Sequence, residues 1–252
     1  MGQGLPWGPG LSVRATIPGS VSDSASSRKA SQFERFPLFS GLSAAEGNEI
    51  ISAAQTAEYA RRDTLYLEGD LVRTVILLTT GAVKCVQFGR EGTEVILRLN
   101  GPGELVGMMA SCPRARHGSR AQALSNSTAL VWDAAVFDGF AQRFPALRGN
   151  AARLLCRQME ELEERFRLVS TGRVSARLSH QLIRLLDQIG RDVDGCLEIS
   201  LSREELAQTI GTTLFTVSRL LSDWDQRGIV SARREAVSIL NLPALVELSE
   251  SE

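Results

Sequence analysis

The sequence predicts an α+β chain: a β-barrel or jelly roll, then a long helix, then a compact C-terminal unit of short helices and strands. Three observations predict it. Residues 57–137 hold short strand-like runs cut by glycine-containing turns, the spacing expected of a barrel or jelly roll. From Ala152 to Val169 apolar residues recur every 3 or 4 positions, the period of an amphipathic helix. Residues 201–240 place two short helical segments around Gly211 and follow them with two strand-like runs.

Composition bounds what such a chain can be. Of 252 residues, 43% are hydrophobic and 23% charged, ordinary values for a globular protein. With 28 basic and 29 acidic residues the chain is not a polycation, which excludes a nonspecific coat on nucleic acid and leaves room for a local basic face. No apolar run reaches the roughly 20 residues of a membrane span, so no membrane partner is expected. No secretory signal is recognisable. Cys85, Cys112, Cys156 and Cys196 form no CxxC pair; buried free thiols and a cytoplasmic location are expected, with no metal site.

Residues 1–30 read as a disordered lead, because fourteen of them are Gly, Pro or Ser and little apolar surface offsets the cost of ordering. The barrel is assigned to residues 31–145. Ser43 with Glu46 forms a capping box for a helix running to about Gln55. Strands follow at Thr64–Leu67, Thr74–Leu78, Ala82–Phe88, Glu94–Leu99 and Ala129–Trp132, separated by turns at Glu68-Gly69-Asp70, Gly81, Gly89–Gly92 and Asn100–Gly103.

Residues 146–171 form the long helix. Ala152, Leu155, Met159, Leu162, Phe166 and Val169 make a narrow seam on an otherwise charged helix. Two readings fit: a parallel coiled-coil homodimer, which the narrow seam favours, or an amphipathic helix packed on its own domain.

Residues 172–252 make the last domain, with a helix over Ser175–Ile189, a turn at Gly190–Gly195 and a strand near Leu197–Leu201. Ser202 and Glu205 form a second capping box, Gly211 supplies a turn needing positive φ, and Thr213 caps a helix over Leu214–Arg227. Val217, Leu220, Leu221 and Trp224 form its buried stripe, facing Leu206, Ala207 and Ile210. Thr213, Leu214, Phe215, Ser218 and Arg219 are left on the outer face. Ile229-Val230 and Val237–Leu240 then bracket Arg233-Arg234 as a β-wing. Two short helices around a glycine turn, the second with an exposed polar-basic face, is the helix-turn-helix design for double-stranded DNA.

At these residues the chain resembles the CRP/FNR family of bacterial transcription regulators. Gly69-Asp70, Gly81 and Pro102–Gly107 match the glycine punctuation of that family's cyclic-nucleotide-binding-type jelly roll, and the long helix matches its dimerisation helix. The run Gly211-Thr212-Thr213-Leu214-Phe215-Thr216-Val217-Ser218-Arg219 is most similar to the branch that responds to nitrogen oxides. The resemblance implies a homodimer on a palindromic site, an effector-sensing barrel relayed through the dimer helix, and RNA polymerase as partner of an activator. It puts Ser218 and Arg219 at base-reading positions. Arg219 suits guanine O6 and N7; a phosphate contact or an ion pair with Asp223 is the other reading. Many family members carry Glu where Phe215 stands; Phe215 either touches a thymine methyl or packs against the wing. Thr212, Thr213 and Thr216 are candidates for phosphate contacts, and Arg233 is a further candidate DNA-binding residue.

The resemblance also places an effector pocket at Leu105, Gly107, Met108, Met109, Arg116, His117 and Arg120. Cyclic-nucleotide binders carry Glu at the position of Met108 and an Arg-Ser pair near His117-Gly118, so cyclic AMP is disfavoured here. An iron–sulfur cluster is disfavoured by the absence of clustered cysteines. Haem stays open, with His117, His180, Met108, Met109, Cys112 and Cys156 as candidate ligands.

A ligand-binding module acting through protein contacts is the alternative reading of the chain. No phosphate loop, HExxH or nucleophile elbow is present, so no enzyme is expected. Residues 148–234 carry a net +2 and the last eighteen −4; DNA specificity would rest on a few arginines.

Overall fold

A computed structural model describes residues 14–15, 36–107 and 114–250. They fall in two compact units, one within residues 1–86 and 99–155, the other within 87–98 and 156–252.

In the first unit, Ser43 caps helix α1 (Ala44–Ser52) by accepting from the Glu46 amide, and the Glu46 carboxylate accepts from the Ser43 amide at 2.8 Å. This is the predicted capping box. The strands are β1 (Arg14–Ala15), β2 (Gln55–Tyr59), β3 (Thr64–Tyr66), β4 (Thr74–Thr80), β5 (Val83–Phe88), β6 (Glu94–Asn100), β7 (Leu105–Val106), β8 (Arg120–Ala123) and β9 (Ser127–Asp133). They form two sheets of the jelly roll, ordered β1-β2-β9-β4-β7 and β3-β8-β5-β6. Arg14–Ala15, inside the segment read as a lead, pairs with Glu58 and Ala57 of β2. Strand character stops at Asp133, short of the predicted 137. Its carboxylate accepts from the Ala135 and Val136 amides and starts helix α2 (Ala134–Arg143).

The pleat sorts the apolar residues into two cores. Tyr66, Ile76, Leu78, Cys85, Val106, Ala121 and Ala129 face the inside of the roll. Val75, Leu77, Leu105, Leu130 and Trp132 face the opposite way, onto Leu38, Ile50, Phe137 and Leu147. The Trp132 indole donates to the Ile50 carbonyl at 2.7 Å, so this large ring is buried without an unpaired N–H. Asn150 donates to the carbonyls of Leu38 and Ser40.

Helix α3 (Pro145–Thr171) runs from one unit into the other. The second unit continues with α4 (Val174–Ile189), β10 (Arg191–Val193), β11 (Cys196–Ile199), α5 (Arg203–Ile210), α6 (Leu214–Gln226), β12 (Val230–Ala232), β13 (Val237–Ile239) and α7 (Leu242–Glu250). Its sheet is ordered β10-β11-β13-β12. The predicted turn at Gly190–Gly195 contains β10, and the reversal is confined to Asp194 and Gly195, both at positive φ. The expectation of buried thiols holds for Cys85 only in part of the set: Cys156 is exposed and Cys196 half-buried. Cys112 lies outside the described residues. No helix among the described residues is long and apolar enough to cross a membrane.

Candidate nucleic-acid interface and sensor site

The helix-turn-helix is held by local chemistry that the sequence announces. Ser202 accepts from the Glu205 amide at 3.2 Å, and the Glu205 carboxylate accepts from the Ser202 amide at 2.8 Å. Gly211 adopts φ 65°, ψ 52°, a left-handed turn that a side chain would strain. Thr213 then caps α6 by accepting from the Thr216 amide, and the Thr213 and Thr216 hydroxyls share a hydrogen bond at 3.0 Å. Leu206, Ala207 and Ile210 are buried, as are Val217, Leu221 and Trp224 across the turn. Leu220, predicted in that stripe, is only half-buried.

On the outer face, Phe215, Ser218 and Arg219 stand at i, i+3 and i+4, one above another on the helix surface. Leu214, Phe215 and Arg219 are exposed; Ser218, like Thr212 and Thr216, is half-buried. Phe215 is 83% exposed, so it is not packed against the wing. Asp223 pairs with Arg227 at 3.2 Å rather than with Arg219. The i+4 geometry allowed either arginine, and Arg227 occupies the carboxylate. Arg233 lies in the β12–β13 connection, its amide donating to the Ala236 carbonyl and its guanidinium 3.7 Å from Glu198.

In the barrel, the structure brings His117 and Gly107 together with two residues the sequence did not indicate, Tyr66 and Cys85. The His117 and Tyr66 rings stack with centroids 3.6 Å apart and planes 11° from parallel. His117 is 4% exposed, and its Nδ1 is buried without a hydrogen-bond partner. Burial holds the imidazole below the usual histidine range, and the nearby Asp70 carboxylate opposes that shift. The Tyr66 hydroxyl lies 3.6 Å from the Cys85 sulfur. Gly107 has φ 88°, and a Cβ there would sit 2.7 Å from the Tyr66 hydroxyl and 3.0 Å from His117 Cε1.

The other pocket candidates divide. Leu105 is turned away by the pleat into the helix-side core, and its neighbour Val106 faces the roll interior instead. Arg116 is exposed and donates to the Gly69 carbonyl at 2.6 Å. Arg120 is half-buried and donates to the Thr64 hydroxyl at 2.9 Å, with its Nε unpaired. Met108 and Met109 lie outside the described residues. His180 is half-buried on α4; burial lowers its pKa, and Glu164 acts against that. Among the described residues no group of three His, Cys, Asp or Glu side chains is placed to hold a metal ion.

Along α3 the predicted seam is uncovered within the protomer. Ala152, Met159, Leu162, Phe166 and Val169 are exposed and Leu155 is half-buried, whereas the helix buries Leu147, Asn150, Ala151 and Leu154. The seam is therefore not packed on its own domain. Sequence reading also missed Arg165. Its guanidinium donates to the carbonyls of Leu97, Ile96 and Thr209.

Comparison with known proteins agrees with both halves. Residues 176–248 match the Crp-like helix-turn-helix domain and residues 56–144 the cyclic nucleotide-binding domain. The chain is 29% identical over 213 residues to the cyclic AMP receptor protein of Thermus thermophilus, spanning 84% of this chain and 96% of that one. Among solved structures it is similar to a CRP-family transcriptional regulator from Thermus thermophilus, with 27% identity, a TM-score of 0.67, and coverage of 77% of this chain and 96% of that one. FixK2 from Bradyrhizobium japonicum shares the fold with a TM-score of 0.71 at 21% identity, covering 79% and 98% of the two chains.

Proposed function

Because the chain belongs to the CRP/FNR family of dimeric, DNA-binding transcription regulators, we propose that it reads a palindromic site with Ser218 and Arg219 of two paired α6 helices. The observation that carries this reading is the outer face of α6, where Arg219 is exposed and Asp223 is taken by Arg227. A guanidinium so placed presents its planar fork to guanine O6 and N7, a contact worth about 1–3 kcal/mol of discrimination. Thr212, Thr213, Thr216 and Arg233 contact phosphates and fix register, and Leu214 and Phe215 complete the face. The two copies join along Ala152, Leu155, Met159, Leu162, Phe166 and Val169, which spaces the half-site centres about 34 Å apart. The protein is a regulator and not an enzyme; we place it in the cytoplasm with its DNA, and RNA polymerase is its partner where it activates.

The barrel supplies the signal, which passes along α3 to the DNA-binding domain. The nucleotide named for the Thermus relative is not carried over, since Met108 replaces the acidic ribose ligand and Tyr66 and His117 stack beside Gly107. The run Gly211–Arg219 supports a nitrogen-oxide signal instead, with haem as the candidate sensor group.

The test is selection of duplexes from a randomised palindromic library by the full-length protein. A guanine-containing half-site is expected, and Arg219→Ala is expected to lose the guanine preference. Selection of no consensus overturns the reading. For the sensor, absorbance after haem reconstitution is expected to show a Soret band that shifts with nitric oxide; absence of haem binding overturns that part.

A further inference from the structure

We infer that Phe215 makes DNA binding depend on the C5 methyl group of a thymine in each half-site. The inference rests on the α6 face being the DNA-reading face. Phe215 is the most exposed large apolar side chain among the described residues, at 83%, and Leu214 beside it is 43% exposed. A lone exposed apolar residue needs no explanation. This one stands on the first turn of the recognition helix, on the same face as Ser218 and Arg219, and recognition helices contact bases through their N-terminal residues.

The ring has no role in folding. It leaves the stripe of Val217, Leu221 and Trp224 to hold α6 in place, and it does not cover the wing. It also has no donor or acceptor for a base edge. Of the groups that the four bases present in the major groove, only the thymine methyl is apolar. Contact with that methyl removes apolar surface of both partners from water, whereas contact with a cytosine amino group or a purine N7 strips it of water and returns no hydrogen bond. Phe215 therefore selects for the methyl and against the polar edges.

Its register follows from helix geometry. Phe215 precedes Ser218 and Arg219 by three and four residues, a rise of about 4.5–6 Å. Along a duplex with about 3.4 Å per base pair, the thymine lies one or two steps from the guanine read by Arg219.

The experiment uses the full-length protein and the duplex it selects from the randomised palindromic library, resynthesised with deoxyuridine replacing single thymines. Uracil lacks only the methyl. Loss of one buried methyl corresponds to about a fourfold weaker Kd, and replacement in both half-sites to about fifteenfold. That effect is expected at the thymine one or two steps from the guanine and not at flanking thymines. Phe215→Ala, at an exposed position, is expected to erase the difference between thymine and uracil, and Phe215→Glu to move the selected base toward cytosine. Equal binding of the thymine and uracil duplexes overturns the inference, as does a Phe215→Ala variant that keeps the full difference. A protein that selects no duplex at all overturns the DNA-reading face itself, an outcome separate from either.

Discussion

The Arg165 guanidinium, on the long helix, donates a hydrogen bond at 2.6 Å to the carbonyl of Thr209, in the last turn of the first helix of the helix-turn-helix. The same guanidinium reaches the carbonyls of Ile96, at 3.0 Å, and Leu97 in the β5–β6 hairpin. Burial lowers its pKa to about 10, with Arg184 and Arg98 adding to the shift and Glu161 opposing it; it is still charged at neutral pH. One cation thus ties three elements of the second unit through main-chain oxygens, which no change of side chain on those elements can remove.

Replacing Arg165 with Met is expected to destabilise the second unit by about 1.5–3 kcal/mol, the range for hydrogen bonds to a charged group. Hydrogen exchange is the direct measurement. Residues 94–98 and 203–211 should lose protection together, and an unchanged 203–211 segment would show that Arg165 does not fasten the helix-turn-helix.

Gly107→Ala forces a side chain into positive φ and to within 2.7 Å of the Tyr66 hydroxyl. A loss of about 1–3 kcal/mol is expected from the backbone alone, with the collision added. Adding Tyr66→Phe removes the nearest atom and should restore part of the loss in a denaturant titration; no recovery would place the strain elsewhere.

Burial lowers the pKa of His117 and of His180 from an ordinary value of 6.5. The unfolded chain therefore takes up protons first as pH falls. Stability is full above about pH 6.5 and declines below it, by at most about 1.4 kcal/mol per pH unit for each histidine. Asp70 opposes the shift at His117 and Glu164 that at His180. Chemical denaturation between pH 5 and 8 should show the slope, and His117→Phe, which keeps a ring on Tyr66, should remove the His117 share. A slope unchanged in both His117→Phe and His180→Gln would assign it to other groups.

Phe166 is 73% exposed in the protomer, so Phe166→Glu should leave the fold of each unit intact. Placing two carboxylates in an apolar seam is costly, and the variant is expected to sediment as a monomer and to lose at least tenfold in affinity for the selected duplex. A dimeric Phe166→Glu protein would exclude the seam.

Much of this was legible in the sequence wherever the physics is local. Ser43 with Glu46 and Ser202 with Glu205 are capping boxes that close over three residues, and Gly211 had to turn left-handed because two helices meet there. Longer reach was not legible. Tyr66 and His117 are joined only once β3 and β8 pair, and Arg165 finds its carbonyls 68, 69 and 44 residues away. Leu105 and Val106 are adjacent and equally apolar; only strand register decides that Val106 faces inward. β10 carries no apolar alternation, being exposed throughout, so it read as turn. On the recognition helix the sequence left open an ion pair of Arg219 with Asp223 and packing of Phe215 on the wing; in the structure Arg227 holds Asp223 and Phe215 stands exposed.

Leu154 is the last fully buried side chain of helix α3, although its apolar seam continues through Met159, Leu162 and Phe166 to Val169, all exposed in the protomer. Under the proposed pairing of two copies along that seam, covering it is a bimolecular step, and the dimeric fraction rises with protein concentration by mass action. The abundance of the regulator is then a second input beside its effector. Under that proposal, halving the protein concentration lowers the dimer concentration more than twofold wherever the monomer predominates.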